Sequence, residues 1–170
     1  MTLELDRVEP AWITNTRREG IKMPTGKDCL KLMVTRLNEE YVCGAEVDLD
    51  NPDWHGPWDC AEAASWVIKQ ETGKLYGCLM EPGQRPDPWT GAWARDARNG
   101  TVKVIPVSKA AKTPGALLLR YRQGEHHIVF SVGDGRTVGA QNTEDGVAYG
   151  KVGAYEGWDY GILIPGVTYA

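Results

Sequence analysis

Apolar residues recur at helical spacing near the start of the chain. Within residues 26–41, one side of a helical wheel collects four of them: Leu30, Met33, Val34 and Leu37. Charged residues fill the rest of the wheel, as in a helix that packs one face on a core. We therefore predict an amphipathic helix over 26–41, followed by a Pro- and Gly-rich loop over 44–58.

The next helix is predicted to begin just after Asp59. Asp59 is a favourable N-cap residue, Glu62 follows three residues later as in a capping box, and Gly73 supplies a C-terminal stop. Cys60 then becomes the first residue of this helix. A third, shorter helix is predicted over 89–98.

The pattern changes beyond residue 100, where β-prone runs alternate with Gly-containing turns. Six strands are predicted there: 102–107, 116–121, 126–132, 136–141, 146–151 and 160–164. Helices first and strands afterwards indicate the α+β class. We expect a single domain over 1–170, with an N-terminal extension (1–25), a helical half (26–100) and an antiparallel sheet or small barrel (101–170).

Composition and charge narrow the function classes. The chain of 170 residues is 42% hydrophobic and 25% charged, as expected of a soluble globular protein. Its net charge of -4 and the lack of a Lys/Arg run argue against a nucleic-acid partner. Apolar runs are far shorter than the roughly 20 residues of a membrane helix, and the first ten residues lack the features of a secretion signal. We expect a soluble protein made in the cytoplasm, without membrane contact.

Four cysteines and three histidines are the candidate nucleophiles, bases and metal ligands. They contain no CxxC pair and no zinc-like spacing, so we predict neither a metal nor a cofactor. The even number of cysteines permits disulfides, and the sequence leaves their pairing open.

Cys60 has the position expected of a nucleophile. Free backbone N–H groups and the positive end of the helix dipole favour a thiolate in the first helical turn. The Gly/Pro-broken, aromatic segment 54–58 before it predicts an open groove. A buried structural thiol is the alternative interpretation.

A thiol nucleophile needs a base, and two adjacent histidines begin a predicted strand. Strand alternation places His127 and Ser131 on one face and His126 and Phe130 on the other. At most one of the two histidines can therefore meet Cys60. Two exposed polar residues on an edge strand are the alternative.

Three segments, in this order, resemble the motifs of NlpC/P60 cysteine peptidases. Residues 58–67 resemble the nucleophile helix, 114–118 the Pro-Gly-Asp-Leu segment, and 127–137 the histidine strand with its Gly-x-Gly turn. Residues 157–164 fit the last strand, so that the resemblance covers about 53–167. It implies a papain-like fold in which the nucleophile helix packs on an antiparallel sheet or small barrel.

The resemblance also implies a reaction and its residues. The family's histidine stands six residues before the turn glycine Gly133, which selects His127 as the base. Cys60 would attack a peptide carbonyl and form an acyl-enzyme, with helix N–H groups holding the oxyanion. The implied substrates are peptidoglycan stem peptides, typically at the bond from γ-D-glutamyl to a diamino acid, and the implied role is bacteriolytic.

Three positions depart from the family pattern. Ala61 replaces the usual Ser, Ala116 replaces the Asp after Pro-Gly, and Gly139 stands where a polar residue orients the histidine. Gln141 lies two residues further on the same strand face. We predict that Gln141 supplies the missing hydrogen bond to the imidazole.

Aromatic residues flank the predicted nucleophile and suit a groove for a short peptide. We expect the substrate to contact four residues: Trp54, Trp58, Asp59 and Tyr76. Trp89 and Trp93 lie in the same flanking segments. Core packing is the alternative for each aromatic side chain.

Alternative functions remain open at this point. The same fold suits an acyl- or amide-transferring thiol enzyme, or a peptidase acting on a protein. The glycine at 139 also permits an inactive peptide-binding module. Peptidoglycan lies outside the cytoplasm, so a chain without a signal implies delivery by a phage or a secretion machine, with a tail, secretion or immunity protein as partner.

Overall fold

The computed structural model describes residues 22–155 and 157–170. Its helices are α1 (Gly26–Val34), α2 (Cys60–Thr72), α3 (Thr90–Arg98) and α4 (Val107–Ala110), with a 3-10 turn at Val152–Ala154. Its strands are β1 (Cys78–Leu79), β2 (Asp87–Pro88), β3 (Lys103–Ile105), β4 (Leu117–Arg122), β5 (Glu125–Ser131), β6 (Arg136–Asn142), β7 (Gly146–Lys151) and β8 (Tyr160–Leu163). Most of the predicted N-terminal extension, 1–25, lies outside the described residues.

Helix α1 ends earlier than the sequence predicts. A capping box at Thr25 and Asp28 starts it, with each side chain accepting a hydrogen bond from the other's backbone N–H. The chain then turns, and Asn38 adopts a left-handed φ of 72°. Its N–H donates to the Val147 carbonyl at 2.8 Å, so a tertiary bond replaces continuation of the helix to residue 41.

Both predicted ends of α2 are confirmed. The Asp59 carboxylate accepts a hydrogen bond from the Glu62 N–H at 2.8 Å, and Gly73 closes the helix with a φ of 74°. The capping box is only half formed, because the Glu62 side chain pairs with Arg85 instead. Cys60 is the first residue of the helix, as predicted.

The six longer strands form one antiparallel sheet in the order β3-β8-β4-β5-β6-β7. Strands β4 to β7 form a meander, and β8 returns between β3 and β4. The α+β class with an antiparallel sheet is therefore confirmed. The small pair β1–β2 and the short helix α4 were not predicted, because elements of two to four residues are too short to show a periodic pattern.

The core fixes α2 against the sheet. Every residue from Cys60 to Ile68 is buried, and the small alanine side chains of this run let the helix approach β5 and β6 closely. Ile128 and Phe130 of β5 face the helix, whereas Val129 belongs to a second cluster on the opposite face. No helix in the described part of the chain is long and apolar enough to cross a membrane.

Candidate active site

Cys60 lies at the point where the start of α2 meets β5. Its side chain is nearly buried, with the residue 8% exposed. Burial, with a smaller contribution from the negative charge of Asp59, raises the pKa of the thiol to about 12. The Ile128 backbone N–H lies close enough to the sulfur to act in the opposite direction. Burial therefore opposes the thiolate that the helix start favours.

His127 is held by a hydrogen bond to Gln141. The distance from His127 Nε2 to Gln141 Oε1 is 3.2 Å, and Gln141 Nε2 donates to the Ala148 carbonyl at 3.0 Å. Because the amide nitrogen is used by Ala148, its oxygen faces the imidazole as an acceptor. His127 Nε2 then carries the proton, and Nδ1 is left as the basic nitrogen.

The surroundings of His127 favour its neutral form. Burial lowers the pKa of this histidine, the hydrogen bond that it donates to Gln141 raises it, and the charge of Arg120 lowers it. Arg120 is the cross-strand neighbour of His127 in the β4–β5 pair. A neutral imidazole with a free Nδ1 is the form needed in a general base.

Two aromatic rings pack against the His127 imidazole. The ring centroid of Tyr155 lies 5.1 Å from it and that of Trp158 lies 6.0 Å away. Trp158 is anchored in turn, since its Nε1 donates to the Val152 carbonyl at 2.9 Å. These contacts fix the orientation of the imidazole from the side opposite α2.

His126 faces the other side of β5, as strand alternation predicts. Its ring stacks on Tyr121 at 4.5 Å. A groove of about 210 Å³ is lined by Cys60, His126, Tyr41 and Trp89, and a neighbouring cavity of about 240 Å³ contains His127 and Gln141. Tyr41 and His126 line both spaces, which therefore adjoin each other, with Cys60 in the wall of the first and His127 in the wall of the second.

Gly139 cannot act on the histidine, and strand pairing explains why Gln141 can. The β5–β6 register pairs Phe130 with Val138. Continued along the strands, it sets Gly139 beside Val129 and Gln141 beside His127. A Cβ on Gly139 would lie 3.1 Å from the Val129 side chain, which leaves little room for a larger residue.

The predicted substrate residues separate into two groups. Asp59 lines the cleft beside Cys60. Trp58 is completely buried, where it packs edge-on against Trp66 at 4.9 Å, and Tyr76 is also in the core. Trp54 is half-buried and packs against the same core. The expectation that Trp58 and Tyr76 line the groove is therefore wrong, because core packing takes their rings out of it.

Sequence analysis missed several residues of the cleft. Tyr41 and Tyr155 gave no signal, since both lie outside the segments that resemble the family's motifs. Arg120 was accessible to prediction, because the two-residue turn at 123–124 fixes the hairpin register and pairs Arg120 with His127. Trp89 is 42% exposed and supplies the aromatic wall that was assigned to Trp58.

None of the four cysteines forms a disulfide bond. All four cysteines are free thiols: Cys29, Cys43, Cys60 and Cys78. Within residues 22–155 and 157–170, no three His, Cys, Asp or Glu side chains are arranged to hold a metal ion.

Comparison with known proteins gives similarity in structure only. No family model matches the chain, and no curated protein matches it in sequence. The NlpC/p60 domain of the peptidoglycan hydrolase SagA is 21% identical at a TM-score of 0.60, over 82% of this chain and 99% of that domain. The P60 domain of a Mycobacterium avium subspecies paratuberculosis antigen is 17% identical at a TM-score of 0.59. That match covers 82% of this chain and 93% of the P60 domain.

A third solved structure agrees with the first two. The peptidoglycan hydrolase RipB of Mycobacterium tuberculosis is 14% identical at a TM-score of 0.58, and the match covers 81% of this chain and 63% of RipB. At these low identities, the TM-scores establish a common fold and nothing beyond it. The chain therefore has the fold of NlpC/P60 domains, as its sequence motifs implied.

Proposed function

We propose that this chain is a cysteine-type hydrolase that cleaves peptide bonds in peptidoglycan stem peptides. The observation that carries the proposal is the hydrogen bond between His127 and Gln141, in a cavity that adjoins the groove lined by Cys60 at the start of α2. A purely structural histidine does not require a free Nδ1 and a fixed tautomer. Similarity to two structures named as peptidoglycan hydrolases supports the substrate class.

The first half of the reaction forms an acyl-enzyme. His127 Nδ1 removes the thiol proton of Cys60 as the sulfur attacks the carbonyl carbon, and the carbonyl π electrons move to oxygen. Backbone N–H groups at the start of α2 stabilise the resulting oxyanion. The imidazolium then gives its proton to the leaving amine, the C–N bond breaks, and a thioester remains on Cys60.

The second half releases the acid product. His127 Nδ1 removes a proton from water, whose oxygen attacks the thioester carbonyl. The tetrahedral intermediate collapses, the C–S bond breaks, and the sulfur takes the proton back from the imidazolium. Gln141 keeps its hydrogen bond to Nε2 throughout and strengthens it whenever the ring is positively charged. The bond from γ-D-glutamyl to a diamino acid is the proposed cleavage site.

The proposed function is tested with peptidoglycan fragments and mass spectrometry of the products. We expect the wild type to cleave the stem peptide, Cys60→Ala to be inactive, and Gln141→Ala to be slower. A peptide-binding module without catalysis would bind the fragments and leave them intact. That outcome would exclude the hydrolase.

Thiol labelling provides a matched internal control. Burial raises the pKa of Cys29 to about 12, the value also reached by Cys60. Because His127 assists only Cys60, we expect a thiol-directed probe to label Cys60 faster than Cys29 in the native wild type. His127→Gln should slow the labelling of Cys60 severely and leave the labelling rate of Cys29 unchanged. Equal labelling of Cys60 with and without His127 would contradict the assignment of the base.

A further inference from the structure

The wall of the cavity beside His127 contains a buried arginine. Arg120 of β4 is the direct cross-strand neighbour of His127, and residues in this relation have Cβ atoms about 4.5–5.5 Å apart on one face of a sheet. Both side chains line the cavity of about 240 Å³ that also contains Gln141. Only 8% of the Arg120 side chain is exposed. A guanidinium group, which keeps its charge at any physiological pH, is therefore enclosed beside the proposed base.

The protein neutralises the charge of Arg120 only in part. Its Nη2 donates a hydrogen bond to Glu125 Oε2, but the Glu125 side chain is 58% exposed at the tip of the β4–β5 hairpin. An ion pair with one partner largely in water contributes little to stability. The Arg120 Nε is buried and, like Nη1, has no hydrogen-bond partner in the described part of the chain. The two terminal nitrogens are therefore the atoms that a ligand in the cavity can contact.

Tyr155 fixes the guanidinium group relative to the imidazole. The Cζ atom of Arg120 lies 5.5 Å from the centroid of the Tyr155 ring, and the centroid of the His127 ring lies 5.1 Å from the same point. A cation held over an aromatic ring keeps its full charge. The arginine is thus held in place while its charge remains available to an anion.

A positive charge at this position opposes the proposed reaction. His127 becomes an imidazolium when it accepts the thiol proton, and the nearby charge of Arg120 disfavours that form. A carboxylate bound to the guanidinium group would offset this effect, because it brings a negative charge to the same wall. The position of Arg120 is therefore favourable only if the substrate supplies an anion there.

The proposed mechanism indicates which anion reaches this wall. The leaving amine takes its proton from His127, so its nitrogen lies against the imidazole when the C–N bond breaks. In an amino acid, the amine nitrogen and the carboxylate carbon are about 2.5 Å apart, since both are bonded to the same Cα atom. The α-carboxylate of the leaving residue is therefore carried to the neighbourhood of Arg120.

We propose that Arg120 forms a subsite for the α-carboxylate of the residue that the cleavage releases, and that this carboxylate displaces Glu125 from Nη2. The proposal rests on the proposed function for the direction of the peptide, and it specifies which end of the peptide the cavity selects. The terminal nitrogens of a guanidinium group form a planar fork that matches the two oxygens of a carboxylate. The cavity then favours peptides that end at the leaving residue over longer peptides, in which an amide replaces this carboxylate.

Stem peptides have a second carboxylate, on the α-carbon of the γ-linked D-glutamate. Three synthetic probes separate the two carboxylates: L-Ala-γ-D-Glu-L-Lys, the same peptide with a C-terminal carboxamide, and the same peptide with the D-glutamate α-carboxylate amidated. Amidation removes the negative charge and changes the size of the group very little.

Binding is measured by calorimetry on the Cys60→Ala protein, so that no turnover interferes. We expect the C-terminal carboxamide to bind on the order of tenfold to a hundredfold more weakly, which corresponds to the loss of one charge-assisted interaction. Amidation of the D-glutamate should have a much smaller effect. With Arg120→Gln added, the unmodified peptide should bind as weakly as the carboxamide, and the carboxamide should lose little more. Lys103→Gln, an exposed change of equal charge outside the cavity, should bind like its parent.

Glu125→Gln distinguishes a subsite from a structural role. If Arg120 and Glu125 only hold the hairpin together, both substitutions should act alike and neither should change the preference for acid over carboxamide. A carboxylate subsite predicts opposite effects, since Glu125→Gln removes a competing carboxylate and leaves binding of the acid peptide equal or stronger. Arg120→Lys keeps the charge without the planar fork and should retain only part of the preference. Thermal unfolding of each variant checks that it is folded.

Three results would overturn the proposal. They are an acid peptide that binds no better than its carboxamide, a carboxamide effect that persists in Arg120→Gln, and a loss confined to the D-glutamate amide. These measurements do not depend on catalysis. If the wild type cleaved no peptide, the proposed function would fail and the preference for the acid would remain measurable. If the wild type cleaved acid and carboxamide with equal kcat/KM, the subsite would fail and the proposed function would stand.

Discussion

The hydrogen bond that His127 donates to Gln141 provides the sharpest test of the proposed mechanism. Gln141→Ala removes the acceptor for Nε2 and the restraint that fixes the tautomer. Because this hydrogen bond raises the pKa of His127, its loss lowers that pKa further below the ordinary value. Gln141→Glu retains an acceptor and adds a negative charge, which favours the imidazolium and raises the pKa of His127.

The expected loss of rate follows from the change in charge during the reaction. A hydrogen bond to neutral imidazole contributes about 0.5–1.5 kcal/mol, and one to imidazolium about 1.5–3 kcal/mol. Only the difference, about 1–1.5 kcal/mol, accelerates the chemical step. Gln141→Ala should therefore react about tenfold more slowly at the pH optimum.

The assay is the pH dependence of stem-peptide cleavage, together with an NMR titration of the His127 ring. The acidic limb reports protonation of the base, so it should move to lower pH in Gln141→Ala and to higher pH in Gln141→Glu. Gln123→Ala, in an exposed turn, is the matched control and should leave the profile unchanged. A limb that moves in the same direction for both Gln141 variants would refute the reasoning, even if both were slow.

Three further predictions concern charge and packing. Arg120→Gln should raise the pKa of His127, as measured by the same NMR titration, because it removes a nearby positive charge. Burial raises the pKa of Glu62 from 4.5 to about 7, so that its protonated side chain stabilises the fold at low pH and this contribution is lost as the pH rises through 7. The free energy of unfolding of Glu62→Gln, measured in urea, should lack that decline. Gly77→Ala should unfold at lower urea than Gly73→Ala: both have a left-handed φ, but a Cβ at position 77 would lie 2.1 Å from a buried indole ring.

Local signals in the sequence were sufficient to predict most secondary structure. Asp59 and Gly73 delimit α2 because caps depend on residues within one turn of each end. The end of α1 was missed, since it depends on a bond from Asn38 to Val147, more than a hundred residues away. Such a contact leaves no trace in the local pattern of apolar residues.

The site was predictable where strand pairing determines it. A count of residues beyond the histidine selects Gly139, but the register of β5 and β6 selects Gln141, and alternation along β6 already placed both on one face. Burial was not predictable in the same way. Trp58 precedes the nucleophile by two residues, yet its ring lies in the core because the chain turns it toward Trp66.

The pKa of Cys60 shows how burial changes the chemistry expected from sequence. The helix start favours a thiolate, but the desolvated sulfur retains its proton until a base removes it. A thiolate formed from a thiol of high pKa is the stronger nucleophile, because nucleophilicity rises with basicity. His127, kept neutral by burial, is suited to accept the proton at the moment of attack. We therefore infer that proton transfer accompanies carbon–sulfur bond formation in this cleft, rather than preceding it as a stable thiolate–imidazolium pair.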